Sequence, residues 1–344
     1  MMKVNYRELF MQKMVILLKP EDIETSAKEF LSTYASYMES VGIYGKGSDG
    51  HANYQSKTAP VHEENVGFFE EWVEIANALE INTAVGMDLY TDRLFAKDPN
   101  YQSKNDKGKA MDHQICPNSP EFWQYASEIV AEIGHYPVDE IFVFGAGFIR
   151  DRFCFCEKCR NDFAPLVNQE PDRLTHQYLT ENPEYHEKWH EWRSGIVHQG
   201  IEQLQAAARD ISDSTERTKP LKLSIEMLLD PMTGLTEDAQ NEYGYDWRRI
   251  LDITGSMLVN LYPWSPILPA QESSEYDELV ESLYFSNEFK RRGGDVTLFR
   301  WGIDSIEEVR ELKDLAKDAA IDRISGTFAY PDDYSDRREE AIGG

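Results

Sequence analysis

Long apolar runs are missing from this chain. No stretch approaches the roughly 18 consecutive apolar residues that a membrane span requires, and Met1 to Tyr6 lacks the charged-then-apolar order of a secretory leader. The expectation is a soluble, cytoplasmic protein. Basic residues are scarce as well: 35 Lys and Arg face 62 Asp and Glu, a formal charge of −27, and the acids are spread along the whole chain. Such a field repels nucleic acid and anionic lipid, which excludes both as partners, and in dilute salt it pushes the compact state apart. A charge this far beyond the roughly 2 to 8 of a small domain points to a salt-rich, halophile-like cytoplasm, with an ordinarily acidic mesophilic enzyme as the alternative. Low-complexity tracts and repeats longer than a strand–helix unit are absent. No Gly-x-Gly-x-x-Gly follows the first apolar run, so a dinucleotide-binding sheet loses its main support. Cysteine is limited to four residues, and in a cytoplasmic chain these read as thiolates or buried thiols rather than disulfides.

What is present is a rhythm. Apolar runs of strand length recur at Lys13–Leu18, Glu39–Gly45, Ile81–Asp88, Val138–Gly145, Leu221–Met227, Ser256–Tyr262, Asp295–Trp301 and Ile321–Phe328, each followed by an amphipathic helical pattern. Eight such units in 344 residues predict an α/β chain folded as one (β/α)₈ TIM barrel over residues 1–344. Helix starts support the count: Pro20 with Glu21 and Asp22, Ser119-Pro120-Glu121, and Ser305 to Glu308 with capping-box spacing. Connections after strands two, three and five are long (residues 46–66, 89–118 and 228–243) and fall on the face where a barrel carries its site. They hold His51, Asn53, Tyr54, Tyr90 and Tyr101, read as exposed.

Cys154, Cys156 and Cys159 form a C-x-C-x-x-C run just after the fourth strand, and Cys116 precedes the helix that leads into that strand. Both segments belong to the top of the barrel, so the four sulfurs can meet. Four thiolates make a closed tetrahedral set that suits structural zinc; four buried free thiols or a redox switch are the alternatives.

The segment from Phe153 to Phe163, preceded by Cys116-Pro-Asn-Ser-Pro120, resembles the β-galactosidases of glycoside hydrolase family 42, and Gly50 to Lys57 with His62 looks like the second βα loop of such barrels. The resemblance spans over half the chain and implies a zinc-bearing, carbohydrate-active barrel. It also exposes a departure. The family's Asn-Glu pair at the end of strand four falls on Phe144 and Gly145, and its strand-seven nucleophile falls in Leu298–Trp301, where no carboxylate stands. The family's own mechanism therefore does not transfer.

Glycoside cleavage needs two carboxyl groups at strand ends. Glu226, inside the apolar run Leu223–Leu228, is the first candidate, since an acid there points into a polar mouth. Asp88, closing strand three, is the second, and Asp151, between Arg150 and Arg152, the third. Lys46 after Tyr44, and Arg300 beside Trp301, read as cations at the mouth that would suit an anionic group on the substrate, unless each balances a neighbouring acid. His51, Arg150, Tyr262 and Trp264 complete the expected substrate contacts, with planar faces for a sugar. His186-Glu-Lys-Trp-His190 matches the H-E-x-x-H zinc pattern, but no third ligand accompanies it in sequence and it reads as a chance match. The expected function is a glycoside hydrolase. A metal-dependent sugar isomerase, epimerase or lyase using a histidine such as His51 or His113, or a sugar-binding barrel without catalysis, are the other readings, and the oligomeric state stays open.

Overall fold

The computed structural model describes residues 6–328 apart from 90, 149, 216, 218, 229–240, 262–267 and 304. Among the described residues ten strands are present: β1 Val15–Leu18, β2 Ser40–Lys46, β3 Asn82–Asp88, β4 Gln102–Lys104, β5 Ala110–Ile115, β6 Glu140–Phe144, β7 Lys222–Leu228, β8 Ser256–Asn260, β9 Asp295–Arg300 and β10 Arg323–Thr327. Eight of them close a barrel in the order β1-β10-β9-β8-β7-β6-β3-β2, and every pair around the ring is parallel. Each barrel strand overlaps one of the apolar runs in the sequence. They are legible because a parallel barrel strand is covered on both faces and so carries little polar alternation. The remaining pair, β4 and β5, forms an antiparallel hairpin after β3 that the sequence pattern did not announce.

Side chains sort into two layers. Val15, Leu17, Tyr44, Phe142, Phe144, Leu258, Phe299 and Trp301 pack with Ala84 inside the ring, while a far larger set fills the space between ring and helices. At the lower end, where the strands begin, Glu140 is buried and bridged by Arg323 at 2.5 Å and by Lys222 at 3.6 Å, so the barrel floor is closed by paired charge. The helix Pro183–Ser214 lies against the helix Pro120–Gly134. Gly200 makes that approach close: a Cβ there would come within 2.2 Å of the Trp123 ring.

Local signals at the helix starts hold with one shift. Ser305 Oγ accepts from the Glu308 amide at 3.2 Å while the Ser305 amide donates back to Glu308 at 3.1 Å, a complete capping box. Pro120 opens its helix at the first turn. Pro20, by contrast, starts only the 3₁₀ turn Pro20–Asp22, and the helix proper, Ala27–Tyr34, begins after Ser26, whose hydroxyl accepts from the Glu29 amide. Among the described residues no helix is long and apolar enough to cross a membrane.

Candidate functional site

A cavity of about 360 Å³ opens at the upper end of the barrel, over the ends of β1, β2, β3 and β9. Its floor is apolar, from Tyr44 and Trp301 of the inner layer. Its wall is acidic and polar, with Asp88 from the end of β3 and Asp49, Asn53, His62 and Glu64 from the long loop after β2. That loop is folded by its own polar groups. Asn53 donates to the Tyr44 carbonyl at 2.9 Å, Asn65 donates to Asn53 at 2.8 Å, and the Ala52 and His62 amides pair with the carbonyls of Pro60 and Ala52. A clamp holds it from outside: Glu132, on the helix after β5, accepts from Tyr54 Oη, Ser56 Oγ, the Lys57 amide and Thr58 Oγ1. Tyr54, expected to be exposed, is consequently buried.

Asp49 is the electrostatic centre of this wall. Its Oδ2 lies 2.9 Å from His51 Nδ1 and 2.7 Å from His62 Nε2, and the two imidazoles stack with centroids 4.4 Å apart. Burial pushes the Asp49 carboxyl up, but the His51 amide, the His51 ring and the charge of His62 together hold it below the usual carboxylate range. One ligand atom from each of Asp49, His51 and His62 lies within 4.8 Å of the others, so the three could hold a metal ion. His113, on β5, is not part of this group.

The structure separates the expected site residues. Tyr44, Asp88 and Trp301 line the cavity, and His51 backs it through Asp49. Glu226 does point inside the barrel, but it is buried at 1% exposure and both oxygens are engaged, Oε2 by the Gly145 amide at 2.7 Å and Oε1 by the Asn260 side chain. Asp151 sits elsewhere, among His176, His186 and Arg193; its sequence neighbours Arg150 and Arg152 are not among its ion-pair partners. Arg150 contributes its carbonyl, which accepts from Arg193 Nη2. Tyr262 and Trp264 lie outside the described residues.

The two expected mouth cations are corrected. Lys46 pairs in the sheet with Met87 rather than continuing the register of Tyr44 with Gly86, because a bulge at Gly45 inserts one residue. One extra residue turns every later side chain to the opposite face. Lys46 thus leaves the face of Tyr44, is fully buried, and bonds Asp92 at 2.8 Å and the Asp88 carbonyl at 2.9 Å. The buried Asp92 carboxyl is pushed up by desolvation, yet Lys46 and the Phe95 amide hold it below its ordinary value. Arg300 likewise turns from the ring toward the helix Ile306–Asp318, where Glu308 lies at 3.0 Å and Glu311 at 3.8 Å. Each cation balances neighbouring acid, and neither lines the cavity.

The four cysteines do converge. All are buried and unbridged, their sulfurs lie within 4.8 Å of one another, and Cys116 Sγ stands 3.7 Å from Cys156 Sγ and 3.3 Å from Cys159 Sγ. Tetrahedral ligands about 2.3 Å from a zinc ion stand roughly 3.8 Å apart, so the set fits such a centre. Backbone amides of Lys104 and Cys156 point at Cys154 Sγ, at 3.3 and 3.4 Å, and serve thiolate acceptors. Hydrogen bonding to Cys154 and Cys156 lifts the Cys116 thiol and burial lifts that of Cys159, so these two sulfurs keep their protons unless a cation offsets the charge of their thiolates. The cluster could therefore hold a metal, and it would tie the β4–β5 hairpin to the loop after β6.

No family model and no curated protein matches the chain. Solved structures do resemble it. The glycoside hydrolase domain of PgaB (BpsB) from Bordetella bronchiseptica superposes with a TM-score of 0.70 at 10% identity, covering 96% of this chain and 97% of that one. The catalytic domain of β-amylase from Paenibacillus polymyxa gives 0.60 at 11% identity over 96% and 98%. Alpha-L-fucosidase isoenzyme 2 from Paenibacillus thiaminolyticus gives 0.58 at 16% identity, over 96% of this chain and 48% of that one. The chain is thus a (β/α)₈ barrel whose structural neighbours are glycoside hydrolases.

Proposed function

We propose that this chain is a carbohydrate-active barrel enzyme that hydrolyses a glycosidic bond in the mouth cavity, with Asp88 and Asp49 as its two carboxyl groups. One observation carries the reading: the cavity brings both acids to its wall over a floor of Tyr44 and Trp301. Cleavage of a glycoside needs a proton donor and a second carboxylate near the anomeric carbon, and aromatic rings are the surfaces on which sugars pack. His51 and His62 keep Asp49 ionised, which suits the base or nucleophile and leaves the proton donor's role to Asp88. Glu226, held by Gly145 and Asn260, acts as a positioning residue beneath the site. The fold of the glycoside hydrolase neighbours supports the reading by analogy.

Zinc is the ion we assign to Cys116, Cys154, Cys156 and Cys159, where four protein ligands leave no position for substrate and its contribution is to pin two loops. The test of the function is turnover on neutral and acidic glycosides in molar KCl, which screens the charge of −27. Wild type should release sugar while Asp88→Asn and Asp49→Asn do not. Sugars that raise the melting temperature without being cleaved would instead mark a binding barrel.

A metal-dependent isomerase, epimerase or lyase has one observation in its favour, the convergence of Asp49, His51 and His62. Under that reading EDTA abolishes turnover while the cysteine-bound metal is retained. Under hydrolysis by two carboxyls, chelation leaves the rate unchanged.

A further inference from the structure

The H-E-x-x-H segment acquires in three dimensions the partner it lacks in sequence. His186 and His190 stand one turn apart near the start of the helix Pro183–Ser214, and the loop after β6 brings Asp151 to them. One ligand atom from each of the three lies within 4.8 Å of the others. Asp151 Oδ2 is 3.1 Å from His186 Nε2, and Nε2 of His186 is 3.2 Å from Nε2 of His190. Two imidazoles bring the same ring nitrogen this close when one keeps a proton between them or when both turn lone pairs to a shared cation. His176 Nε2, 2.9 Å from the same Asp151 oxygen, fixes the carboxylate from the other side.

The geometry favours the cation. His190 is buried and its Nε2 lies 3.8 Å from Asp151 Oδ1, so the two imidazoles and the carboxylate converge on one point. Arg193 stands 3.7 Å from Oδ1, yet its guanidinium donates to the carbonyls of Arg150, Asn241 and Glu242, so it serves to fix the loops around the cluster. Side chains of His176 and His186 keep about a quarter of their surface exposed, which leaves a route for an ion. Glu187, the acid inside the motif, is exposed to solvent and does not join the group.

We propose that Asp151, His186 and His190 form a second metal site, distinct from the four cysteines, which takes zinc or another late first-row divalent ion and is oriented by His176. Two imidazoles and a carboxylate suit that class of ion rather than calcium or magnesium, and three protein ligands leave a coordination position open. The site lies outside the mouth cavity, so it stands or falls independently of the glycosidase reading.

Co²⁺ is the probe. Crystals of the wild-type chain soaked in CoCl₂ should show an anomalous peak between Asp151, His186 and His190; a peak at the cysteines alone, or none, overturns the proposal. In solution, His186→Ala/His190→Ala should bind one equivalent of Co²⁺ less than wild type and Cys116→Ser should lose a different one, since thiolate-bound Co²⁺ absorbs strongly in the near ultraviolet and nitrogen- and oxygen-bound Co²⁺ does not. His176→Ala should weaken the histidine site about 10- to 100-fold. Equal Co²⁺ content in wild type and the double variant contradicts the site, and should that variant fail to fold, the wild-type anomalous map decides.

Discussion

The two sides of the barrel's upper face are built from the same kinds of residue and do opposite things with them. Over β1, β2 and β3 the chain leaves a cavity, and its carboxylates line open volume, Asp49 steadied by two histidines. Beside β6 the loops are tied together: sulfur meets sulfur at 3.3 to 3.7 Å, three histidines crowd one aspartate, and a buried arginine holds three carbonyls. The contrast teaches that a cluster of ligand-type side chains does not by itself mark where substrate goes. The cavity side keeps space because its loop is clamped at a distance, by Glu132 on the outer helix, rather than across the opening.

Substitutions should break the two sides differently. Asp88→Asn is expected to lower kcat by about 10²- to 10⁴-fold with the melting temperature nearly unchanged, because it removes a proton-transfer group from a site that keeps its shape. Cys116→Ser should do the reverse, removing a ligand from the metal proposed at the cysteines and costing on the order of 4 kcal/mol in urea unfolding, with kcat changing far less. Comparable losses of rate in both variants would erase the distinction drawn here.

Lys46→Met leaves the Asp92 carboxylate buried without its cation, and breaking such a pair costs about 3 to 5 kcal/mol. A second change, Asp92→Asn, should recover part of that loss, measured by the same unfolding curves. Glu132→Gln is smaller, about 2 kcal/mol, because the neutral amide keeps an acceptor for some of the four donors but loses the charge assistance. Its signature should be a raised KM, as the loop carrying Asp49 and His62 loosens, with little change in kcat.

pH should sharpen the comparison further. Burial, with help from the Arg249 charge, pushes His198 down to about 4, and the neutral ring accepts from the Asp246 amide at 3.2 Å. In the unfolded chain the same ring titrates near 6.5, so the unfolded state binds the extra proton between those values. The His198 contribution is therefore fully present above pH 6.5 and is lost as pH falls through 4, on the order of 3 kcal/mol. Asp49 also has a depressed pKa, but as a carboxyl its contribution is present above 3.8 and is lost only in stronger acid. Unfolding between pH 7 and 4.5 should thus show a slope that His198→Gln flattens and Asp49→Asn leaves alone.

The barrel was legible because its strands are apolar on both faces, and the four cysteines because their spacing is tight. The β4–β5 hairpin was not: Gln102–Lys104 and Ala110–Ile115 carry Gln, Lys, Asp and His and pair with each other outside the barrel ring. Lys46 was misplaced because a single-residue bulge leaves no mark in composition, though Gly45 before it was the available signal; a Cβ there would come within 2.6 Å of Val85. Of the cavity, Tyr44, Asp88 and Trp301 could be named from strand ends, while Asp49 and His62 meet across a loop whose shape depends on Glu132, far away in sequence. Asp151 was singled out for its place on the cysteine loop; two of its histidine partners, His186 and His190, follow from the packing of a helix that begins 32 residues later.

The most direct test of the mouth cavity as the sugar site is a crystal structure of Asp88→Asn soaked with a glycoside that wild type cleaves. An intact glycoside is expected over Tyr44 and Trp301, its scissile oxygen within hydrogen-bond reach of position 88 and its anomeric carbon facing Asp49. A sugar bound beside β6 among Asp151 and its histidines, with the cavity left to water, would contradict it.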